Sequence, residues 1–515
     1  MSLFWVTRRL SIALCATRRL PIVLCAGAAA TLAGCMTLGP DYHRPAVTAD
    51  RGYQAPNDDP ANIGPVQTAV GDKVVADWWT LFHSPVLDQL VREAIKANPT
   101  LEAARARLAQ ARDAAGAEGS PLHIDATAGI KEQQANLNSF SGGVFSGGTQ
   151  IGGVTLPAFP TNPRFALYSI GGMVNYNTDL FGGVRRRRES LQASADAQAR
   201  ELDAAYLTLT GQVVEQALII GDATIQIRDL RDVVASDEAD LDFARRAVAA
   251  GGAPRVQVAE IDSQLGQDRA AIPPQQQRLD AARHRLAALL GKSPADYSAP
   301  GFDESSGSLP EVLPVAVPSA LVRNRPDILQ AEARLHAATA EVGVATANLY
   351  PNITLSASLN QDALSPQTLF DPTATSWAVG AGLTAPIFHG GELHARKREA
   401  EDAARAALAD YQQTILAAFN QVADLLQAIA HDNQAYADQT HALDAAIARV
   451  EMLRRAEAAG GASAVQLLHA ERDLRRVRLA LAAQGSGRYG DSALLLLATA
   501  SVPAGVAEGS AKVAR

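Results

Sequence analysis

The fold is decided by residues 325–359, which read RPDILQAEARLHAATAEVGVATANLYPNITLSASL. Between Pro326 and Pro351 the stretch is rich in alanine and holds no proline, a composition that favours a helix. Beyond Pro351 apolar residues alternate with polar ones, and the apolar set is Ile353, Leu355, Ala357 and Leu359. A two-residue period is typical of a β-strand. The stretch therefore predicts a long helix that leads directly into a strand.

The same pattern occurs earlier in the chain. Asn98-Pro99 opens an Ala-rich stretch that leads into the alternating residues 121–130, and it lies 227 positions before Arg325-Pro326. Each half goes on to a second alternating stretch and then to a long proline-free helical region that ends in a Gly-Gly pair. The two Gly-Gly pairs are 209 positions apart. A repeat of this length indicates a duplicated domain rather than a solenoid.

The alternating stretches predict four strands, at about 122–134, 165–181, 352–363 and 376–388. Strands of about ten residues cross a bilayer when tilted, and alternation of apolar and polar residues fits a barrel wall around water. A soluble hairpin packed on helices is the alternative. Because lipid cannot satisfy the edges of an open sheet, a membrane sheet of four strands has to be shared between copies.

The proline-free regions, 183–251 and 391–460, predict very long helices. Each is either one helix, about 100 Å long at 1.5 Å per residue, or two helices stacked end to end. The Gly-Gly pairs fit left-handed turn positions in helical hairpins. Pro273-Pro274 is expected to kink or break the first return helix. The predicted fold class is mixed α+β, mostly α, with helices that form a hollow tube around an axis shared by several copies.

The N-terminus has the features of an export signal. Arg18-Arg19 precede an apolar run, and the run ends in LAGC at 32–35, which resembles the lipobox of bacterial lipoproteins. By that resemblance Cys35 becomes the acylated first residue, and Met36 in place of Asp indicates sorting to the outer membrane. An ordinary signal peptide with a chance cysteine is the alternative.

Charge, cysteine content and motifs exclude several classes of protein. The four arginines of the first 34 residues have no acidic counterpart, so their removal changes the net charge from −8 to −12. This acidic balance argues against a nucleic-acid partner. No Cys follows residue 35, no nucleophile-elbow, Walker or HExxH motif occurs, and His389 and His394 lack a carboxylate or Cys companion. We therefore predict no enzyme, no catalytic residue, no metal site and no cofactor beyond the lipid on Cys35.

The layout resembles the outer membrane factor (TolC/OprM) family, especially its NodT-like branch of RND efflux outer membrane lipoproteins. The resemblance covers about residues 36–502. The segments that carry it are LGPDY (38–42), DWW (77–79), LLG (289–291), RNRPD (323–327), ANLYP (347–351) and PIF (386–388).

The resemblance implies a homotrimer with a twelve-stranded transmembrane β-barrel, four strands per chain, on a periplasmic α-helical barrel. An equatorial belt would draw on 66–83, 292–318 and the C-terminal tail. Such a protein is the outer membrane exit duct of a tripartite efflux pump, and it passively exports small toxic organic compounds such as antibiotics and aromatic acids. Its partners would be a periplasmic adaptor, an inner-membrane pump of the RND type and outer membrane lipid. A duct of the same fold for type I protein secretion or metal efflux, and a periplasmic helical scaffold without a pore, are the alternatives.

The expected organisation follows the duplication. It comprises a lipoprotein signal peptide (1–34), an acylated extension (35–65), a first efflux repeat (66–300), a second repeat (301–502) and a flexible tail (503–515).

By the same resemblance, the hairpin turns at 250–256 and 459–465 are adaptor-docking tips. The residues are Ala250, Gly251, Gly252, Ala253, Ala459, Gly460, Gly461 and Ala462. The candidates for the periplasmic aperture are Val465, His469, Arg472, Glu260 and Asp262. His469 replaces an acidic residue of the family pattern, so three copies would place a charge-changing ring there and make gating pH-sensitive. A solvated or core histidine is the alternative.

A run of four arginines, residues 185–188, begins the first long helical region. Cations at a helix start oppose the helix dipole. Either anionic lipid headgroups attract them or they form a solvated face.

Overall fold

The computed structural model describes residues 37–46, 53, 67–70, 76–118, 122–134, 150–151, 154–155, 164–301, 308–310, 312–315 and 318–502. The predicted signal peptide, Cys35 and the tail after 502 lie outside these residues. The described chain is mostly helical with a small antiparallel sheet, which confirms the predicted mixed α+β, mostly α class. Most of the Gly-rich connector 137–164 also lies outside the described residues.

The helices, in chain order, are α1 (Pro85–Ala97), α2 (Pro99–Ala117), α3 (Gly183–Ala249), α4 (Arg255–Leu289), α5 (Pro318–Asn324), α6 (Pro326–Ala347), α7 (Glu392–Ala458) and α8 (Ala464–Thr499). The strands are β1 (Gln67–Val70), β2 (Leu122–Gln134), β3 (Gln150–Ile151), β4 (Val154–Thr155), β5 (Arg164–Asn177), β6 (Val312–Val315), β7 (Asn352–Ala363) and β8 (Thr375–Thr384). Short 3₁₀ turns, among them Trp78–Phe82, join some of them.

The long helices are single helices. Both α3 and α7 run without interruption for 67 residues, which decides between the two alternatives left by the sequence. Of the two outcomes expected at Pro273-Pro274, the break is wrong, because α4 continues through both prolines, and the kink stays a prediction. The prolines cannot bond the carbonyls of Arg269 and Ala270, but these two residues are exposed, so water can satisfy the carbonyls.

Tertiary contacts divide the chain into two compact units. Among the described residues, the sheet unit comprises those within 37–42, 113–192 and 336–405, and the helical unit comprises the others. In the sheet unit the strands pair antiparallel in the order β2-β5-β7-β8, so both halves of the duplication contribute two strands to one sheet. Within the described residues, β2 and β8 are the edge strands.

The register of the sheet separates apolar from polar side chains. Ile124 lies opposite Val174, Val174 opposite Ala357, and Ala357 opposite Val379, so these four residues share one face. Trp377 belongs to the same face. Ile124, Val379 and Trp377 are each more than 70% exposed. The other face carries mainly small and polar side chains, among them Asp125, Thr127, Ser356 and Ser376.

In the helical unit, the quoted DWW and LLG motifs form part of the core. Trp78 and Trp79 are almost completely buried, and their indole N–H groups donate to Thr210 (3.4 Å) and Asp88 (3.0 Å). Gly291 has a positive φ of 68°, and a Cβ there would lie 2.6 Å from the carbonyl oxygen of Ala97. The LLG glycine is therefore required both by the backbone conformation and by this close approach.

The described parts of 66–83 and 292–318, two of the segments predicted to form an equatorial belt, belong to the helical unit, whereas the tail after 502 lies outside the described residues. There β1 pairs in parallel with β6, with Gln67 opposite Val312.

Candidate functional site: hairpin turns and the buried charged cluster

The first hairpin turn connects α3 to α4. After Ala249, the amide of Gly251 donates to the carbonyl of Val248 (3.0 Å) and that of Gly252 to the carbonyl of Ala247 (2.9 Å). Gly251 has a φ of +75°, the left-handed conformation that ends many helices. Together with the Ala250 amide, which donates to Arg246 (3.0 Å), these bonds satisfy three of the carbonyls at the end of α3 within the turn itself.

The second turn, between α7 and α8, repeats this geometry. Gly460 donates to Glu457 (2.9 Å), Gly461 donates to Ala456 (2.8 Å), and Gly460 has a φ of +71°. The following helix begins with a capping box: the Ser463 hydroxyl accepts from the Gln466 amide, and the Gln466 side chain accepts from the Ser463 amide. Both turns are therefore closed by local hydrogen bonds alone.

The two glycines of each pair differ in backbone conformation. Only Gly251 and Gly460 adopt the left-handed conformation, so the expectation that whole Gly-Gly pairs occupy left-handed positions is correct for the first member only. A Cβ on Gly252 or Gly461 would meet only a backbone carbonyl oxygen at 3.6 Å, an ordinary contact. The backbone therefore does not require the second glycine. What the absence of a side chain at Gly252 and Gly461 changes is the exposed surface of the turn.

Both turns present small side chains to their surroundings. Ala250, Gly251 and Gly252 are exposed, as are Ala459, Gly460 and Gly461, whereas Ala253 and Ala462 are half-buried. Behind the first turn, α3 and α4 are held by a small apolar core of Leu241, Ala244, Ile261 and Leu265.

Ion pairs join the two helices of each hairpin. In the first hairpin Arg269 pairs with Glu238 (2.5 Å), and Arg245 lies 3.8 Å from Asp262. In the second, the pairs are Arg449–Asp473 (2.9 Å) and Arg454–Glu471 (2.8 Å). Exposed pairs of this kind contribute little stability each, so the hairpins depend mainly on their apolar contacts.

A charged cluster is buried between α3, α4 and α8. Asp237 and Asp240 of α3 are 1% and 4% exposed. Arg475 of α8 lies 3.8 Å from Asp240, and the positive charge of Arg472 lowers the pKa of both aspartates against the larger effect of burial. Among the described residues, no donor lies within hydrogen-bonding distance of either carboxylate oxygen of Asp237. We name this group the buried charged cluster (Asp237, Asp240, Asp268, Arg472 and Arg475).

Burial makes the ionised carboxylates of this cluster costly. Burial, followed by the interaction with Asp268, raises the pKa of Asp237 from 3.8 to about 6. Burial also raises the pKa of Asp240, although the nearby Arg475 and Arg472 oppose that change. The cluster can therefore take up a proton in the mildly acidic range.

The structure brings together only some of the predicted aperture residues. Arg472 belongs to the buried charged cluster, and the exposed His469, one turn before it, is close enough to influence Asp240. Val465 is half-buried one turn before His469. Asp262 pairs with Arg245 instead, and Glu260 is exposed. Sequence reasoning missed Asp237, Asp240 and Arg475, because nothing in the pattern of α3 or α8 distinguishes them from solvated charges.

The arginine run 185–188 is neither a simple solvated face nor wholly free for lipid. Arg185 pairs with Asp179, whose carboxylate also accepts from the Val184 and Arg185 amides at the start of α3. This carboxylate offsets the unfavourable position of cations at the helix start. Arg186 is buried and Arg187 pairs with Glu341, so three of the four arginines serve local structure.

A family model described as outer membrane efflux protein matches residues 90–292 and 317–498, which is well over half of the chain. The chain belongs to this family. Outer membrane efflux proteins are not enzymes, and this member is a protein of the bacterial outer membrane.

Several curated relatives are similar over most of their length. Nodulation protein T of Rhizobium leguminosarum bv. viciae is 29% identical over 88% of this chain and 87% of its own. The probable outer membrane lipoprotein SilC of Salmonella typhimurium is 26% identical over 86% and 90%, respectively. The pyoverdine export outer membrane protein OpmQ of Pseudomonas putida is 28% identical over 86% and 90%.

Among solved structures, the outer-membrane channel OprN is 26% identical and superposes with a TM-score of 0.76, over 90% of this chain and 99% of its own. The efflux-protein fold therefore extends over nearly the whole described chain.

In the described ranges, no group of three or more His, Cys, Asp or Glu side chains is placed to hold a metal ion. Among the described helices, none has a stretch of 18 residues apolar enough for a membrane-spanning helix.

Proposed function

We propose that three copies of this chain form the exit duct of a tripartite efflux pump in the outer membrane. The observation that carries the proposal is the sheet: its apolar face is exposed, and its edge strands β2 and β8 each have one partner among the described residues. An exposed apolar face fits lipid, and open edges in lipid require pairing with further strands. Three copies would supply twelve strands.

The long hairpins support the periplasmic part of the duct. Helices α3 and α7, each of 67 residues, are about 100 Å long. Several large apolar side chains remain exposed along the helices, among them Phe243, Leu416 and Met452. Packing against the helices of other copies would cover this surface and enclose a tube.

The partners follow from the exposed turns. A periplasmic adaptor docks its own helical hairpins on the small residues around Gly251-Gly252 and Gly460-Gly461, because small side chains allow backbones to approach closely. An inner-membrane pump, of the RND type, supplies the energy. The duct itself is passive, and the aperture formed by Val465, His469 and the neighbouring Arg472 limits passage at its periplasmic end.

The cargo is small organic molecules. The name of OpmQ records pyoverdine export, whereas that of nodulation protein T records no cargo, so the names of the relatives do not point to one common cargo. The chain holds four methionines in total, which does not favour a methionine-lined route for soft metal ions. Antibiotics and aromatic acids are the proposed class.

The lipid anchor is part of the same proposal. Cys35 lies two positions before the first described residue, Thr37. It is processed to the N-terminal residue of the mature protein and carries N-acyl and S-diacylglycerol groups that insert into the outer membrane.

The test is the mass of the purified mature protein in detergent, combined with single-channel conductance in planar bilayers. The proposal expects a trimer with small, cation-favouring and mostly closed conductance. A monomer without conductance would overturn it and favour a helical scaffold. A trimer without conductance at any voltage would reject the duct while retaining the shared sheet.

A further inference from the structure

The described chain begins with a short extended segment that lies against the sheet unit. We name it the N-terminal strap (residues 37–42). The amide of Leu38 donates to the carbonyl of Phe181 at 3.2 Å, and the ring of Tyr42 stacks on His336 with 4.3 Å between centroids. The strap therefore contacts the turn before α3 as well as α6.

Arg186 is the residue on which most of these contacts converge. It is 4% exposed, and its guanidinium donates to the carbonyl of Leu38 (3.2 Å) and to the carboxylate of Asp41 (2.5 Å). Its remaining donors reach Glu189 (2.8 Å) and, more weakly, the carbonyl of Gly39 (3.5 Å). A planar guanidinium with five N–H donors can hold several acceptors at once, which lysine cannot.

Two close approaches show that the strap occupies a shaped groove. A Cβ on Gly39 would collide with the backbone of Gly343, and a Cβ on Gly182 would lie 2.5 Å from the side chain of Thr37. Gly39 and Gly182 also have positive φ values, 91° and 77°. The positive φ values favour glycine on their own, and the two close approaches add a steric requirement that exists only because the strap is packed against the sheet unit.

The neighbouring arginine provides a contrast. Arg187 differs from Arg186 in its partner and in its exposure: it binds Glu341 at 2.6 Å, and its side chain is 45% exposed. The structure records no bond from Arg187 to the strap. Holding the strap is thus a specific property of Arg186 and does not follow from the arginine run as such.

We propose that Arg186 is the positioning residue that docks the N-terminal strap and thereby ties the segment that bears the lipid on Cys35 to the sheet unit. Thr37, the described residue nearest to Cys35 in the sequence, lies against Gly182. With the strap docked, Thr37 is held at the turn between β5 and α3, and the lipid-bearing end of the chain is tethered there by the two preceding peptide bonds. The lipid part of this inference depends on the acylation of Cys35 under the proposed function, whereas the docking does not.

The test uses chymotrypsin, which cleaves after Tyr42, on the mature protein in lipid vesicles. Stacking of Tyr42 and docking of the strap protect this bond. We expect Arg186→Gln to accelerate its cleavage at least tenfold, whereas Arg187→Gln, the matched control, leaves the rate unchanged. Cleavage after the exposed Phe370 is the internal reference, because general destabilisation would accelerate both bonds.

A second variant covers the case in which Arg186→Gln does not fold. Asp41 is exposed on the strap, so Asp41→Ala removes the ion pair without touching the body of the protein. Because Asp41 immediately precedes the cleaved bond, its rate is divided by that of a synthetic peptide of residues 37–48 with the same substitution, and we expect an intermediate acceleration of this normalised cleavage after Tyr42. Cleavage of both variants at the wild-type rate, or of Asp41→Ala alone if the other is not obtained, would overturn the proposal.

The same digestion separates the docking from the lipidation. The released fragment would be residues 35–42, and its mass reports whether Cys35 carries acyl groups. An unmodified fragment would reject the lipid anchor, whereas the docking by Arg186 is decided by the cleavage rates alone.

Discussion

Nη2 of Arg186 lies 2.5 Å from Oδ1 of Asp41, although 145 positions separate the two residues in the sequence. The two partners differ sharply in environment, because the Arg186 side chain is 5% exposed and that of Asp41 is 76% exposed. A buried guanidinium is costly unless acceptors surround it, and the strap supplies three of them. The N-terminal strap is therefore an integral part of the sheet unit.

This relationship predicts unequal effects of two neighbouring substitutions on stability. Arg186→Met removes several bonds to charged and carbonyl acceptors, and we expect it to lower the free energy of unfolding by about 2 kcal/mol. Arg187→Met removes one half-exposed ion pair and should cost less than about 0.5 kcal/mol. Denaturation followed by circular dichroism in one detergent compares them. Equal losses for the two variants would contradict the assignment of Arg186.

The hairpin turns predict a separation between folding and docking. Gly251→Ala and Gly460→Ala force a side chain into the left-handed conformation and should each cost about 1 kcal/mol. Gly252→Ala and Gly461→Ala should leave stability nearly unchanged, yet weaken adaptor binding, because they add methyl groups to the exposed turn. Thermal unfolding and adaptor binding by surface plasmon resonance test the two effects. Unchanged binding by both second-glycine variants would reject docking at these turns.

The buried charged cluster predicts a pH dependence. The pKa of Asp237 is raised from 3.8 to about 6 in the folded state, so the folded protein binds this proton more tightly than the unfolded chain. This group therefore favours folding increasingly as the pH falls from about 7 to about 4. Asp237→Asn should raise stability at pH 7.5 and flatten its pH dependence across this range.

The control for that experiment is Asp262→Asn, which changes an exposed carboxylate on the adjoining helix. It should leave the slope of stability against pH at the wild-type value. If the stability of Asp237→Asn changes with pH as steeply as that of the wild type, a group other than Asp237 causes the pH dependence.

The two faces of the sheet predict opposite tolerance for charge. Val379 lies on the apolar face and its neighbour Ala378 on the other. In a membrane wall, Val379→Arg would place a charge against lipid and cost about 2–4 kcal/mol near the middle of the bilayer. We expect it to reduce the amount of heat-resistant oligomer in the outer membrane, whereas Ala378→Arg is tolerated. Equal tolerance would argue against a lipid-facing sheet.

His469 predicts a pH-dependent conductance. Three copies would bring three such side chains to the aperture, and histidine changes charge near neutral pH. The conductance of the His469→Asp and His469→Ala variants should no longer change with pH between 5 and 8 as that of the wild type does. If both variants respond to pH as the wild type does, the histidine does not control passage.

Strands and duplication could be predicted from sequence because their signals are local. Side chains alternate across a strand, so the apolar residues of 353–359 already indicated one face of β7. Leu355 of that face lies opposite Tyr176 and Ala381, so the face continues across the neighbouring strands.

The break expected at Pro273-Pro274 does not occur, and its absence could not be predicted from the local sequence. A local rule lists the hydrogen bonds that proline removes, but whether water reaches the freed carbonyls depends on exposure.

The fold class, the four strands, the two hairpin turns and the family could be predicted from the sequence, because periodicity, glycine positions and sequence motifs are visible in the chain without its tertiary contacts. The partners of the charges could not, since they depend on which distant segments pack together. Asp237, Asp240 and Arg186 look like solvated residues of polar helices, and their burial arises where distant helices or the N-terminal strap cover them. The cost of burying a charge depends on everything packed around it, and that information is not present in any local stretch of the chain.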